Sequence, residues 1–280
     1  MQYPVDARGS LLIIGGREDK EDERMILRAL AKRVGSGKLV VVTVATNHPK
    51  EVGDQYDAVF RRLGVKHVHK LHVDEREEAK SERIVRVLDD AKGVFFTGGD
   101  QLKITSQLGD TPIYERVREI FESGGIIAGT SAGASVMSET MLVSGGKDGS
   151  ARIGRLVQMA PGFGLIRDMI IDQHFAERGR VSRLLGAVVQ NPRSLGIGID
   201  EDTAILVEQG RLRVLGTGAV TVIDGRRVSY SNLTEAGSDR TLSAHDVTLH
   251  LLSAGDSFDL RDRRPRNGPA EDIEAEFAAR

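Results

Sequence analysis

The stretch GGIIAGTSAGASVMSETM, residues 124–141, changes character in the middle. Small and β-branched residues come first, a knot of Gly, Ser and Ala follows, and the rest reads as helix. Gly129 to Gly133 match G-x-S-x-G, a strand-to-helix turn that lifts a serine hydroxyl above a sheet. Glycines flank that serine because the turn leaves little room for Cβ atoms. The stretch thus sets up a sheet whose strands feed helices, with Ser131 as candidate nucleophile.

The same alternation extends to either side. SLLIIGG from Ser10, KLVVVTVAT from Lys38, GVFFTGG from Gly93, GGIIAG from Gly124, DMIIDQHF from Asp168 and LGIGID from Leu195 read as strands buried on both faces. Between them Ile26, Leu27, Leu30 and Val34 recur at helical spacing, as do Val52, Tyr56, Val59, Phe60 and Leu63, then Ile84, Val87 and Leu88. Strand, helix, strand repeated predicts an α/β fold, a parallel sheet with helices on both faces. After Glu201 the run TAILVEQGRLRVLGTGAVTVIDGRRVSY has the short β-rich pieces and Gly breaks of antiparallel hairpins. This predicts one domain over residues 1–260, including a C-terminal β-rich extension, and a charged mobile tail over 261–280.

Composition narrows the function. The chain has 280 residues, 40% apolar and 29% charged, with a net charge of −2, so nothing global points to nucleic acid. It has no cysteine, which excludes disulfides, thiolate metal sites and a cysteine nucleophile. No apolar run nears the roughly 20 residues that span a bilayer, and the N-terminal one is too short for a secretory signal. The expected compartment is the cytoplasm, with neither membrane nor nucleic acid as partner.

In a parallel sheet, ligands gather at the carboxyl ends of the strands. A serine there needs a base. Of seven histidines, His67, His69 and His72 lie in VKHVHKLHV, which reads as an exposed edge strand rather than a metal cluster. His48 begins a helix, and His245 and His250 belong to the β extension. His174 alone follows a buried-type strand. The base in turn needs a carboxylate, and Glu201, closing LGIGIDED on the same edge, is chosen over Asp200 and Asp202, which alternate to other faces. The α/β-hydrolase order would instead draw on Glu139, Asp148 or Asp168, and stays open at this point. The oxyanion donors are expected to be the amide of Ala132, at a helix start, and that of Gly99 in TGGDQ.

The blocks IIGGREDK, FFTGGDQLKI, GTSAGASVMSETM, DQHFAERGRVSRLL and GIGIDEDTAI, in this order over Leu12 to Ile205, resemble the cyanophycinases of peptidase family S51, which are serine-type exopeptidases. The resemblance implies a flavodoxin-like sheet similar to class I glutamine amidotransferases, and a homodimer. It implies Ser131 as nucleophile, His174 as base and Glu201 as orienting acid, with Gln101, Asp172, Gln173, Arg178, Arg180 and Arg183 lining a substrate pocket. The implied reaction is hydrolysis of cyanophycin, multi-L-arginyl-poly-L-aspartate, to β-Asp-Arg dipeptides, with no metal and no cofactor. Asp172 is then expected to meet a substrate guanidinium and the arginines to meet carboxylates. Arg17 stands where a smaller residue is expected. Two competing readings share the scaffold: an α-aspartyl dipeptidase and a non-catalytic binding protein.

Overall fold

The computed structural model describes residues 8–145, 157–235 and 240–266. Its first half contains strands β1 (Ser10–Ile14), β2 (Lys38–Val42), β3 (His67–Leu71), β4 (Ala91–Phe96) and β5 (Ile126–Thr130). Helices α1 (Met25–Val34), α2 (Pro49–Arg62), α3 (Glu82–Val85), α4 (Gln101–Leu108) and α5 (Pro112–Glu122) connect them, and α6 (Ala132–Ser135) follows β5. Next come β6 (Thr140–Gly145), β7 (Val157–Pro161), β8 (Met169–Gln173), α7 (Val181–Gln190) and β9 (Leu195–Ile199). The remainder is β10 (Thr203–Glu208), β11 (Arg211–Gly216), β12 (Val220–Asp224), β13 (Tyr230–Ser231), β14 (Ala244–His245), β15 (Thr248–Leu252), β16 (Ser257–Asp259) and β17 (Arg264–Arg266).

Nine strands form one sheet in the order β17-β16-β11-β10-β1-β5-β4-β2-β3. From β1 to β3 all neighbours are parallel, and from β1 to β17 all are antiparallel. Strand β1 shows why the central runs are apolar throughout. Leu12 and Ile14 pack with Leu27, Leu30, Tyr56 and Phe60 of α1 and α2, while Leu11 and Ile13 join a second core with Ile104 of α4 and Val117 of α5. Helices therefore cover both faces. The VKHVHKLHV segment supplies β3, the edge strand, with His67 and His69 exposed and Val68 and Leu71 buried. The helix expected around Ile84 is shorter than its spacing suggests: α3 gives way to a 3₁₀ turn over Arg86–Leu88.

One expectation is corrected. The strands at Asp168 and Leu195, read as members of the parallel sheet, lie in a second sheet of four with the order β15-β12-β9-β8, where only β8 and β9 are parallel. The free edge of β1 is taken by β10, which pairs with it antiparallel from Leu11↔Val207 to Ile14↔Ala204. Both faces of β8 are buried all the same, since Ile171 enters the main core and Ile170 packs on Leu184 and Val188 of α7. An apolar run reports burial and is silent on which sheet provides it.

The chain after Glu201 is antiparallel, as its Gly breaks predict. Strands β10 and β11 meet at Gln209 and Gly210, whose φ values of 48° and 76° are those a two-residue hairpin turn favours. The segment from 261 begins as a turn and then adds β17 to β16; residues 267–280 lie outside the described residues. A buried ion cluster anchors this end. Arg263 donates to Asp224 at 2.8 Å and to the carbonyl of Arg193, and Arg226 reaches the other oxygen of Asp224 at 2.8 Å. Burial pushes the Asp224 carboxyl up, but the hydrogen bonds from Arg226 and Arg263 outweigh it and hold it below its ordinary value.

Arg263→Ala is expected to lower unfolding free energy by about 2 kcal/mol, below the usual loss from a broken buried pair because Arg226 remains. Urea titration checks it. Because the native carboxyl value is depressed, this contribution is complete above the unfolded value of 3.8, and the gap between parent and variant closes as pH falls below it.

Candidate active site

Strand β5 ends at Thr130, opposite Ile14 of β1, and Ser131 turns the chain into α6 with φ 52° and ψ −110°. That conformation costs a non-glycine residue about 1–3 kcal/mol and persists only where its surroundings over-determine it. They do so here. The Ser131 amide donates to the carbonyl of Ile14 at 3.0 Å, and the Ser131 carbonyl accepts from Ala134 and Ser135 at 3.0 and 3.1 Å. Gly133 completes the turn: a Cβ there would lie 2.3 Å from the carbonyl oxygen of Phe96.

His174, one residue beyond β8, is 6% exposed and also has positive φ, 48°. Its amide donates to the carbonyl of Gly15 at 2.8 Å, which swings the ring over the end of β5. Nε2 lies 3.0 Å from Ser131 Oγ, and Nδ1 lies 2.7 Å from Oε1 of Glu201. A carboxylate only accepts, so Nδ1 carries the proton and Nε2 is free to accept one from the serine. Burial pulls the His174 pKa below its ordinary 6.5, and Arg178 and Arg180 add to that; the hydrogen bond it donates to Glu201 opposes them without reversing the direction. The ring is therefore neutral at neutral pH, and Nε2 can accept a proton. Gly16, at φ 112°, makes room for it.

Asp200 and Asp202 are engaged elsewhere. Asp200 accepts from the amides of Ala176 and Ala219 at 3.0 and 3.1 Å, and Asp202 accepts from the Asp19 amide at 2.8 Å and the Thr217 hydroxyl at 3.0 Å. Of the other acids, Glu139 is exposed, Asp148 lies outside the described residues, and Asp168 precedes β8 and pairs with Arg193 at 2.7 Å. The strand between Asp168 and His174 separates them by roughly 20 Å.

The amides of Ala132, which follows Ser131, and of Gly99 donate to no acceptor among the described residues. A Cβ on Gly98, the residue before Gly99, would come 3.4 Å from Ser131 Cβ and 3.9 Å from its hydroxyl oxygen. Asp100 accepts from the Leu102 amide at 2.8 Å and so caps α4, which carries Gln101, whose side chain donates to the carbonyl of Leu142.

The charged residues around His174 are arranged differently from the sequence expectation. Asp172 has no exposed surface. Arg180 reaches it at 3.0 Å, and Arg183 grips both its oxygens, one through Nε at 2.9 Å. Arg180 also donates to the Gln173 side chain at 3.1 Å and to its carbonyl. Asp172 thus holds the protein's own guanidinium groups instead of standing free for one from a substrate. Gln173, itself buried, lies 3.4 Å from Ser135 Oγ, and Arg178 is exposed.

Three contacts escaped the sequence reading. Glu177 accepts from the Glu201 amide at 3.1 Å, and exposed Arg17 lies 3.5 Å from Glu201 Oε1. Glu18 is 3% exposed and accepts from Thr130 Oγ1 at 2.6 Å. An acid inside REDKEDER reads as solvated, so no periodicity signals its burial.

The model of peptidase family S51 matches residues 11–215. Among curated proteins, the chain is 41% identical over 267 residues to the cyanophycinase of a Nostoc species, covering 94% of this chain and 89% of that one. It is 37% identical over 268 residues to the cyanophycinase of Geminocystis herdmanii, covering 94% and 98%. Among solved structures, a peptidase from an acI-B1 Actinobacterium superposes with a TM-score of 0.62 at 23% identity, covering 89% of this chain and 99% of that one. A putative peptidase E from Listeria monocytogenes does so with a TM-score of 0.53 at 13% identity, covering 75% and 99%. These two likenesses bear on the fold.

A Cβ on Gly16 would lie 2.3 Å from the His174 ring, so Gly16→Ala is expected to misplace the imidazole. Labelling of Ser131 by a small neutral fluorophosphonate should slow on the order of 100-fold. Labelling at the parental rate would mean that the ring is not held there. In the parent, labelling should be flat around neutral pH and fall only below pH 6.5. Glu201→Gln removes the group that supports the imidazolium, so the fall should move to lower pH and the plateau should drop.

Proposed function

The chain belongs to peptidase family S51 and is a serine-type peptidase, and from that premise we propose that it hydrolyses cyanophycin to β-Asp-Arg dipeptides through an acyl-enzyme on Ser131. The observation that carries this reading is the unbroken line Glu201–His174–Ser131, at 2.7 and 3.0 Å, in a chain 41% identical to a cyanophycinase over nearly its whole length. In the first half-reaction Ser131 Oγ attacks the scissile carbonyl carbon and its proton passes to His174 Nε2. Negative charge on the carbonyl oxygen meets the amides of Gly99 and Ala132. His174 then protonates the leaving amine, and in the second half-reaction it takes a proton from the attacking water and returns it to Ser131 Oγ as the acid is released. Glu201 holds the ring in the required tautomer throughout. No step calls for a metal or a cofactor, so EDTA should leave the rate unchanged.

Substrate selection falls to the charged groups beside the histidine. Cyanophycin offers carboxylates and guanidinium groups in alternation. Arg178 is exposed beside the histidine, while Arg180 and Arg183 are oriented by Asp172 and can still present N–H groups outward. A fixed guanidinium fork suits bidentate capture of a carboxylate. Gln101 and Gln173 complete the pocket. In this reading Asp172 anchors the arginines, a role revised from the direct contact expected from sequence. The five parallel strands β1 to β5 would form the flavodoxin-like part of the class I glutamine amidotransferase fold, and the enzyme would act as a cytoplasmic homodimer.

Ser131→Ala should lower kcat by several orders of magnitude with unfolding free energy nearly unchanged. The substrate is tested by kcat/KM on cyanophycin, polyaspartate and an α-linked Asp-Xaa dipeptide, with products identified by mass. Release of β-Asp-Arg from the polymer supports the assignment. Cleavage of the dipeptide without such release would transfer it to an aspartyl dipeptidase, and a protein that neither cleaves nor takes up one fluorophosphonate per chain would be a binding protein.

A further inference from the structure

Behind the nucleophile lies a carboxyl group that the reaction does not use. Glu18 follows the Gly15–Gly16–Arg17 turn and is 3% exposed. Three donors converge on it. Thr130 Oγ1 lies 2.6 Å from Oε2, the Tyr56 hydroxyl donates to Oε1, and Lys20 Nζ stands 3.1 Å from Oε1 and 5.1 Å from the centre of the Tyr56 ring. Thr130 and Tyr56 are each 4% exposed. A carboxyl group so enclosed would destabilise the fold unless its acceptors were met, and both oxygens are.

Its position in the chain gives the cluster its meaning. Thr130 is the last residue of β5, and the next is strained Ser131. At its other end the Glu18 loop holds the turn that carries the acid: the Gly16 carbonyl accepts from the Asp202 amide at 2.9 Å, and the Asp19 amide donates to Asp202 Oδ1 at 2.8 Å. The loop itself is stiff. The Asp19 carboxylate accepts from the amides of Glu21, Asp22 and Arg24 at 2.8, 2.9 and 2.7 Å. Glu18 is thus the side chain through which the strand before the nucleophile is tied to the loop that fixes Glu201.

We propose that Glu18 is a positioning residue, acting through Thr130 to hold Ser131 in line with His174 and Glu201. The proposal rests on the reading of Ser131 as nucleophile. Such a residue sets the rate of bond making and leaves substrate capture alone, so its loss should appear in kcat and not in KM.

The test compares Glu18→Ala, Glu18→Gln, Thr130→Val, Thr130→Ser and Tyr56→Phe by steady-state kinetics on cyanophycin and by the rate at which a small neutral fluorophosphonate labels Ser131. Glu18→Ala should lower kcat and labelling on the order of 100-fold while KM stays within about threefold. Glu18→Gln keeps an acceptor for Thr130 and should recover to within about tenfold of the parent. Thr130→Val, which keeps the protein folded should Glu18→Ala not, should slow both rates about tenfold, with Thr130→Ser restoring them. Tyr56→Phe removes a donor from the oxygen that Thr130 does not use, and should reduce kcat less than Thr130→Val does. The proposal is overturned if folded Thr130→Val labels at the parental rate, if the losses fall on KM, or if Tyr56→Phe matches Thr130→Val. In each of these cases a parent labelled at Ser131 leaves the nucleophile reading intact; a parent that does not label there overturns both.

Discussion

Three consecutive carbonyls at the end of β1 organise the site. Ile14 accepts the amide of Ser131, Gly15 that of His174 and Gly16 that of Asp202, at 3.0, 2.8 and 2.9 Å. The three donors come from β5, from the end of β8 in the other sheet, and from the turn before β10, and nothing in the order of the chain brings them together. One short backbone segment does. Its two glycines are needed because their neighbours come so close: a Cβ on Gly15 would lie 2.0 Å from the carbonyl oxygen of Asp200, and one on Gly16 would enter the His174 ring. Backbone hydrogen bonds inside a packed core tolerate little displacement, so the relative positions of hydroxyl, imidazole and carboxylate are set before any side chain chooses a rotamer.

Electrostatics then tune what the backbone has placed. Burial keeps His174 uncharged and ready to accept a proton, and Arg178 and Arg180 reinforce that bias. Glu201 works the other way, favouring the imidazolium once the proton arrives. A base that is neutral at rest yet supported when charged needs both influences, and they come from different directions. Asp172, fully buried, engages Arg180 and Arg183, while exposed Arg17 is the guanidinium that stands near Glu201, at 3.5 Å.

Much of this was legible in the sequence, and what was not has specific causes. The strand-to-helix join at Ser131 announces itself through glycine spacing, and His174 through its place after an apolar run. Strand alternation favours Glu201 among three adjacent acids, but β9 ends at Ile199 and Glu201 and Asp202 lie in a turn, with Asp202 at φ 44°, so a turn and not an extended strand separates the three side chains. The division into two sheets was hidden, because DMIIDQ and LGIGID have the same apolar character whether they extend one sheet or pack upon it. Burial of charge was equally hidden. Asp172, Arg180, Arg183 and Glu18 are ordinary charged letters in a polar-looking context, and only the folded chain shows that each is matched by a partner. Fully paired charges leave no periodicity for a sequence reader to find.

The parallel half of the large sheet ends at β3, whose outer rim has no covering strand among the described residues. A bare strand rim is a template for pairing with another molecule, and proteins in solution protect themselves by placing charge there. This one presents His67, His69 and Lys70 outward, so two of the three guards are imidazoles. A second copy of this chain that extended the sheet at this rim would bring the same row of polar side chains against its own, so His67, His69 and Lys70 work against open-ended stacking of sheets.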